Sequence, residues 1–242
     1  MGKDTAISWC DATFNLAWGC QKVSPGCAHC YAETLSTRYG HRVWGPGADR
    51  RTFGEKHWRE PLLWDAAAMR EGRRARVFAS SMCDVGEDHP VIAQERRKLW
   101  SLIRLTPHLD WLLLTKRDWV PVLPDDWGGG YPNVWLGVSV EDQQRAEERI
   151  PRLVEVPAVV RFVSVEPLLG PISASLFTKE IDWVIVGAES GPGHRPMELQ
   201  WARDIRDACA RAGVAFFFKQ QSGFRAGTNP HLDGVTHHEW PQ

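Results

Sequence analysis

Residues 183–191 read W-V-I-V-G-A-E-S-G, a short apolar run that ends in glycine and is followed at once by polar side chains. The same pattern recurs along the chain, in apolar runs at residues 76–80, 111–115, 134–139, 160–165 and 214–218, with a first strand predicted at 13–18. Amphipathic patterns of helical period separate the runs, at residues 30–39, 91–105, 142–153 and 199–212. Short apolar strands that alternate with helices are typical of a parallel sheet covered on both faces. We therefore predict an α/β fold, a single-domain partial (β/α) barrel with mostly parallel strands.

The chain shows no low-complexity linker, so we expect one domain over residues 1–242. Within it we expect a cysteine loop at residues 19–31, which carries a possible metal site, and an irregular tail from about 222 to 242. We also predict loops at residues 49–58 and 125–132, where no apolar period is visible.

The composition suits one large α/β domain, since 43% of the 242 residues are hydrophobic and 29 Lys and Arg balance 30 Asp and Glu. Such a balance argues against a protein that coats nucleic acid with a broad basic surface, although a local basic cleft is compatible with it. No stretch approaches the ~20 apolar residues of a membrane helix, and residues 1–9 lack the apolar core of a secretory signal. We therefore expect a cytoplasmic protein without a membrane segment, whose six cysteines are reduced thiols or metal ligands.

Polar residues follow the predicted strands at their carboxyl ends, where parallel α/β folds bind ligands. Our candidates for binding a cofactor are the residues nearest these strand ends, namely Ser139, Glu141, Glu166, Gly187, Glu189 and Ser190. Glu166 and Glu189 stand out, because a carboxylate that ends an apolar strand is costly to bury unpaired. The alternative is that such residues cap strands and begin helices, as we predict for Asp142 at the start of a helix.

Two further features near the strand ends could bind an anion. Residues 187–193 form a glycine-rich turn whose N–H groups could cradle a carboxylate or phosphate, although a plain tight turn would need the same glycines. Three cations follow strands, and Lys116, Arg117 and Lys219 either face an anionic substrate or are simply solvated.

The cysteine loop reads G-C-Q-K-V-S-P-G-C-A-H-C-Y and holds Cys20, Cys27 and Cys30. Thiolates are soft ligands, and three of them in one short loop can reach a single metal centre. A redox C-x-x-C pair would not need Cys20, and a closed zinc site would recruit a fourth ligand, Cys10 or His29. A [4Fe-4S] cluster held by three thiolates instead leaves one iron open to bind a reacting molecule. Because Cys10 precedes the first predicted strand, which is roughly 20 Å long, we expect it at the opposite end of the barrel.

Segments spread over residues 7–221 resemble a known family, and they are W-x-D-A-T-x-N-x-x-x-G-C-x-K-V-S-P-G-C-x-x-C-Y-A-E, L-L-T-K-R, V-W-L-G-V-S-V-E, S-V-E-P-L-L-G-P, W-V-I-V-G-A-E-S-G, G-H-R-P-M and F-F-F-K-Q. The family is that of the phage-associated, functionally uncharacterised three-cysteine-motif proteins, which is similar in turn to radical S-adenosylmethionine (SAM) enzymes. The spacing differs from the usual radical-SAM motif, since six residues separate Cys20 from Cys27 and the aromatic residue Tyr31 follows Cys30.

The resemblance implies a partial (β/α) barrel in which Cys20, Cys27 and Cys30 hold a [4Fe-4S] cluster and SAM chelates the open iron. An electron donor would reduce the cluster, and the resulting 5′-deoxyadenosyl radical would abstract a hydrogen atom from the substrate. We then expect the cofactor candidates, Glu166 and Glu189 first among them, to hold SAM and the three cations to face the substrate. A nucleotide or nucleic-acid base would fit a phage setting.

Two alternatives stay open at the level of sequence. Cys10 and the three loop cysteines could form a structural zinc site in a phage-associated protein that binds or cleaves nucleic acid without radical chemistry. The chain could also be an interaction module of a phage or defence system whose cluster senses redox state.

Overall fold

The structure is a computed structural model that describes residues 5–241. Its strands are β1 (Ala12–Phe14), β2 (Ala17–Trp18), β3 (Arg51–Thr52), β4 (Ala75–Ala79), β5 (Leu109–Thr115), β6 (Val134–Val140), β7 (Val160–Val165), β8 (Trp183–Gly187) and β9 (Ala215–Gln220). Its helices are α1 (Tyr31–Arg38), α2 (Glu55–Arg70), α3 (Pro90–Arg104), α4 (Gln143–Val154) and α5 (Leu199–Ala212). Residues 1–4 and residue 242 lie outside the described residues. The first belong to the segment 1–9 for which we predict no secretory signal, and the second is the last residue of the predicted tail.

Seven strands follow the sheet order β1-β4-β5-β6-β7-β8-β9, and β2 and β3 form a separate antiparallel pair. The chain packs as two compact units. Unit 1 comprises the described residues up to 22 together with 32–136 and 157–159, and unit 2 comprises 23–31, 137–156 and the described residues from 160 onward. Strand β6 therefore begins in unit 1 and ends in unit 2. That the chain is one domain stays a prediction.

In unit 1, β4 pairs in parallel with both β1 and β5, in a register that sets Ala12 opposite Val77. Strand β5 is buried along nearly its whole length, which explains why its sequence is almost continuously apolar. Helix α3 packs with one face inward, because Ile92, Leu99 and Ile103 recur at helical spacing and are fully buried. The core of unit 1 thus lies between its parallel strands and this helix face.

In unit 2, β8 pairs in parallel with β7 and β9, and all five of its residues are buried. Asp142 caps helix α4 as predicted, since its side chain accepts a hydrogen bond of 2.9 Å from the backbone N–H of Arg145. Helix α5 ends at Gly213, which adopts the left-handed conformation with φ of 72°. The tail residues 221–241 contain no further helix or ladder strand. They pack on β9, where the ring of His238 stacks on Phe217 at 4.2 Å.

The predicted loop at residues 49–58 is wrong, because β3 and the start of α2 occupy most of it. The polar sequence and Pro61 conceal the helix, whose position is fixed by tertiary contacts. The imidazole of His57 stacks on Phe14 with 4.5 Å between ring centroids, and its Nε2 lies 2.8 Å from the carbonyl oxygen of Asn15. Such contacts between distant segments leave no periodic signal in the sequence.

The first predicted strand is two short strands, β1 and β2, which belong to different sheets. The break falls at Asn15, whose Oδ1 accepts from the backbone N–H of Met82 at 2.6 Å and whose Nδ2 donates to Ser81 Oγ at 3.0 Å. These bonds divert the chain from the parallel sheet before β2 pairs with β3. The other predicted strands and helices start and end within two residues of the observed ones. No helix within residues 5–241 has the length and apolar character needed to cross a bilayer.

Candidate functional site

The first cysteine of the loop, Cys20, is held in unit 1 by its main-chain neighbours. Gly19 adopts φ of +118°, and an added Cβ atom there would lie 2.3 Å from the carbonyl oxygen of Val43. Its N–H donates to the carbonyl of Met82 at 3.0 Å, and the carbonyl of Cys20 accepts from the N–H of Gly45 at 3.0 Å. The position of Cys20 therefore depends on a glycine that no larger residue can replace without a shift of the backbone.

The thiol of Cys20 lies against the guanidinium of Arg117. Both terminal nitrogens of Arg117 are 3.9 Å from Cys20 Sγ, and one of them also donates to the carbonyl of Gln21 at 2.9 Å. Burial raises the pKa of the Cys20 thiol and the nearby charge of Asp84 raises it further, while the guanidinium opposes both effects. Arg117 is therefore the group that favours a thiolate at this position, and a thiolate is what a metal requires.

Arg117 is part of a buried charge network in unit 1. Its Nη1 lies 2.6 Å from Asp84 Oδ2, and its Nη2 lies 3.6 Å from Glu87 Oε1. Asp84 also accepts from the hydroxyl of Thr115 at 2.5 Å and from the backbone N–H of Lys116 at 3.1 Å. The guanidinium that the sequence offers as a substrate-facing cation is thus already paired. Only the main chain of Lys116 is bound in this network.

Glu87 and Arg50 form a second buried pair next to the start of the cysteine loop. Arg50 donates two parallel hydrogen bonds to the carboxylate of Glu87, at 2.9 and 2.8 Å, and its side chain is only 1% exposed. Glu87 Oε1 also accepts from the backbone N–H of Gln21 at 3.0 Å. The residue after Cys20 is therefore held by a carboxylate that a buried arginine neutralises.

The other two loop cysteines, Cys27 and Cys30, belong to unit 2. Cys27 ends a short 3-10 turn, Pro25–Cys27, and its N–H donates to the carbonyl of Ser24 at 2.9 Å. The hydroxyl of Ser24 lies 3.9 Å from Cys27 Sγ. Cys30 immediately precedes the first residue of α1. Both thiols are partly exposed, so within unit 2 they are accessible to an incoming metal.

A buried carboxylate binds the middle of the same loop. Glu141, which follows β6, is completely buried, and its Oε1 accepts from the backbone N–H of Gly26 at 3.1 Å. Its Oε2 accepts from Arg149 Nη1 at 3.1 Å, and that nitrogen also donates to the carbonyl of Ser139 at 2.6 Å. The structure thus brings two of the predicted cofactor-binding residues, Ser139 and Glu141, together around an arginine that sequence reasoning missed.

Glu189 makes the second contact with the loop. The Nδ1 atom of His29 lies 2.8 Å from Glu189 Oε2, and Arg195 donates to the same carboxylate through its Nε at 3.0 Å and its backbone N–H at 2.9 Å. Burial raises the pKa of Glu189, but the hydrogen bonds from Arg195 and His29 outweigh it and lower the pKa to about 2. The next residue, Ser190, pairs through its main chain with Gly223.

Glu166 and Lys219 form an ion pair at the carboxyl ends of β7 and β9. Lys219 Nζ lies 2.7 Å from Glu166 Oε1, and the hydroxyl of Ser164 donates to Oε2 at 3.0 Å. Gly187 provides the space for this pair, because a Cβ atom there would lie 2.7 Å from Glu166 Oε1. The pair retains partial exposure, at 26% for the lysine and 15% for the glutamate side chain. Both charges can therefore meet a ligand.

Four charged residues of the site were missed by sequence reasoning. They are the partners of predicted residues or of one another, namely Arg50, Glu87, Arg149 and Arg195. Glu87 could have been selected, because it follows the predicted strand at residues 76–80. The arginines give no such signal, since each reaches its carboxylate from a loop or a helix face.

The chemistry of the donor set fits a group held by three thiolates. Cys10 lies beside the amino end of β4, because the N–H of the next residue, Asp11, donates to the carbonyl of Arg76. Cys20 lies past the carboxyl end of β4, since the N–H of Gly19 donates to the carbonyl of Met82. Burial raises the pKa of the Cys10 thiol to about 12. Among the described residues, no three His, Cys, Asp or Glu side chains stand close enough together to hold a metal ion as they are placed. The fit therefore rests on the type and number of soft ligands in the loop.

Searches against known proteins give a fold and a family. No curated protein matches the chain. A cysteine-to-serine mutant of spore photoproduct lyase matches with a TM-score of 0.54 and 16% identity, over 88% of this chain and 65% of that one. A double mutant of the same lyase with bound AdoMet and dinucleoside spore photoproduct matches with a TM-score of 0.52 and 14% identity, over 87% and 64%. The chain thus spans just under two thirds of the length of these lyases.

At this identity the likeness shows the fold alone, and it confirms the predicted α/β partial barrel of mostly parallel strands, a fold similar to that of spore photoproduct lyase. A family model described as a protein of unknown function, DUF5131, matches residues 4–241, which is nearly the whole chain. The chain therefore belongs to the DUF5131 family.

Proposed function

We propose that this protein is an iron–sulfur enzyme of the radical-SAM type that acts on a nucleotide-like substrate. In this proposal Cys20, Cys27 and Cys30 hold a [4Fe-4S] cluster, and SAM binds at its open iron. The observation that carries the proposal is a loop with three thiols in a chain whose fold resembles that of an AdoMet-bound lyase. When bound, cluster and SAM together supply radical chemistry.

The residues of this chain have three tasks in such an enzyme. Arg117 stabilises the thiolate of Cys20, since its guanidinium is 3.9 Å from the sulfur. Glu141 holds the loop from within unit 2 through the N–H of Gly26. Glu189 holds it through His29, because both of its oxygens are already engaged by Arg195 and His29. We therefore reassign Glu189 from a direct SAM contact to a residue that positions the loop.

Glu166 and Lys219 are the better candidates for direct contact with a ligand. They are partly exposed, and they offer one negative and one positive charge at the same strand ends. A zwitterionic group such as the amino acid part of SAM could exchange with this pair without leaving a buried charge unpaired. A nucleotide-like substrate is supported by the dinucleoside bound to the similar lyase.

The test is anaerobic purification and reconstitution with iron and sulfide, followed by electron paramagnetic resonance with and without SAM. We expect brown protein with broad absorbance near ~400 nm and a cluster signal that changes on addition of SAM. Cys27→Ala should abolish the absorbance, while Cys10→Ala serves as the matched control and should keep it. Colourless protein that binds zinc, and loses it in Cys10→Ala, would establish the closed zinc site instead.

A further inference from the structure

A single loop of unit 2 displays an aromatic ring and a cation side by side. Phe224 is 67% exposed, and the next residue, Arg225, is exposed as well. No ion partner of the Arg225 guanidinium is found among residues 5–241. A ring of this exposure beside a cation that has no ion partner in residues 5–241 forms a surface that a ligand could cover.

The loop is pre-organised by its own hydrogen bonds. The N–H of Gln221 donates to the carbonyl of Thr228 at 3.0 Å, and the N–H of Gly227 donates to Gln220 Oε1 at 2.7 Å. Gly223 packs so closely that an added Cβ atom would lie 2.6 Å from Thr228 Oγ1. A ring that is held in place before binding loses little conformational entropy when a ligand stacks on it.

The loop lies next to Glu189. Gly223 pairs with Ser190 in a parallel bridge, and the N–H of Gly191 donates to the carbonyl of Gly223 at 3.0 Å. One bridge and two chain steps therefore separate Phe224 from Glu189, which places their Cα atoms no more than about 13 Å apart. A ligand that stacks on Phe224 can thus reach the strand ends that carry the polar groups of unit 2.

A second exposed aromatic residue follows the end of the cysteine loop that contacts Glu189. Tyr31 is 55% exposed and stands two residues after His29, whose ring is bonded to Glu189. Tyr31 and Phe224 are therefore tied to the same carboxylate, one through the cysteine loop and the other through the Ser190 bridge.

We infer that Tyr31, Phe224 and Arg225 form a binding rim for unpaired nucleotides of a single-stranded nucleic acid. The aromatic faces stack on bases, and the guanidinium binds a backbone phosphate. A peptide could bind equally well to aliphatic side chains. A ring beside an arginine instead matches a nucleotide, which carries a base next to a phosphate. The inference deepens the proposed function, since it names the substrate class of that same site.

The experiment measures fluorescence anisotropy of a labelled oligothymidylate of about 12 nucleotides with metal-free protein. We expect Phe224→Ala and Tyr31→Ala each to weaken binding about 10-fold, and Phe224→Trp to preserve it. Arg225→Ala should lower the slope of log affinity against log salt by about 0.7. The matched control is Tyr39→Ala, which removes a ring of 63% exposure from unit 1 and should change affinity by less than about 2-fold.

Equal binding by Phe224→Leu and the unchanged protein would overturn the inference, because leucine keeps the apolar contact and lacks a face for stacking. Tighter binding of the same oligonucleotide when it is annealed to its complement than when it is single-stranded would overturn the inference too. Circular dichroism of each variant separates loss of fold from loss of contact. Iron content is measured independently. Protein that holds a cluster and does not bind the oligonucleotide would contradict only this inference, and protein that binds the oligonucleotide and holds no cluster would contradict only the proposed enzyme.

Discussion

The buried carboxylate of Glu141 accepts a hydrogen bond of 3.1 Å from the backbone N–H of Gly26, in the middle of the cysteine loop. The same carboxylate is neutralised by Arg149 on helix α4, so a charge pair of unit 2 fixes the loop segment that carries Cys27 and Cys30. The loop is therefore shaped by the protein before any metal binds, which lowers the ordering cost of assembling a metal centre.

We predict that Glu141→Ala destabilises the protein by about 3–5 kcal/mol, because it leaves the Arg149 guanidinium buried without its carboxylate. Urea denaturation of the metal-free protein measures this loss. The control is Glu147→Ala on the exposed face of α4, where we expect a change within about 0.5 kcal/mol. A loss equal to that of the control would show that Glu141 does not hold the loop.

Replacement of Arg117 should uncover the charges around Cys20. In Arg117→Ala, Asp84 loses its cation while Glu87 keeps Arg50, so we expect a destabilisation of about 2–4 kcal/mol. Arg117→Lys should recover part of this loss, since a lysine keeps the charge and not the fork of donors. Denaturant titration of both variants, with the exposed Arg97→Ala as the control, provides the comparison. Equal stability of Arg117→Ala and Arg97→Ala would contradict the network.

The pKa of Glu189 leads to a prediction about acid stability. Its pKa is about 2 in the folded protein and near the ordinary 4.5 when unfolded, so the unfolded state binds the proton more readily. The ionised carboxylate therefore adds about 3 kcal/mol above pH 4.5, and this is lost as the pH falls from about 4.5 to about 2. Glu189→Gln should show a shallower loss of stability across that window in urea denaturation at a series of pH values. An unchanged pH profile would refute the assignment.

The cysteines should differ strongly in reactivity. Burial raises the pKa of Cys10 and of Cys209 to about 12, so at pH 8 only about one thiol in 10⁴ is ionised. We expect iodoacetamide to modify the partly exposed Cys27 and Cys30 in the native metal-free protein while Cys10 and Cys209 stay protected until urea unfolds the chain. Peptide mass spectrometry reads out each site. Early labelling of Cys10 would contradict its burial beside β4.

The sequence by itself determined strands β4 to β9, helices α1, α3, α4 and α5, and the residues at these strand ends. Apolar runs such as residues 160–165 and 183–187 coincide with β7 and β8, because strands that are buried on both faces are mostly apolar. The helix cap at Asp142 was equally predictable, since capping depends only on neighbouring residues.

The tertiary structure alone decided how the charges of the site are paired. Arg50 and Arg195 reach Glu87 and Glu189 because the fold brings separate segments together, and side-chain pairing across such distances leaves no periodic trace in a sequence. Helix α2 was hidden for the same reason, since His57 is held by a stack on Phe14 and not by an amphipathic pattern. Apolar runs and helix caps depend on neighbouring residues and can be predicted from the sequence, whereas the partners that neutralise buried charges depend on packing.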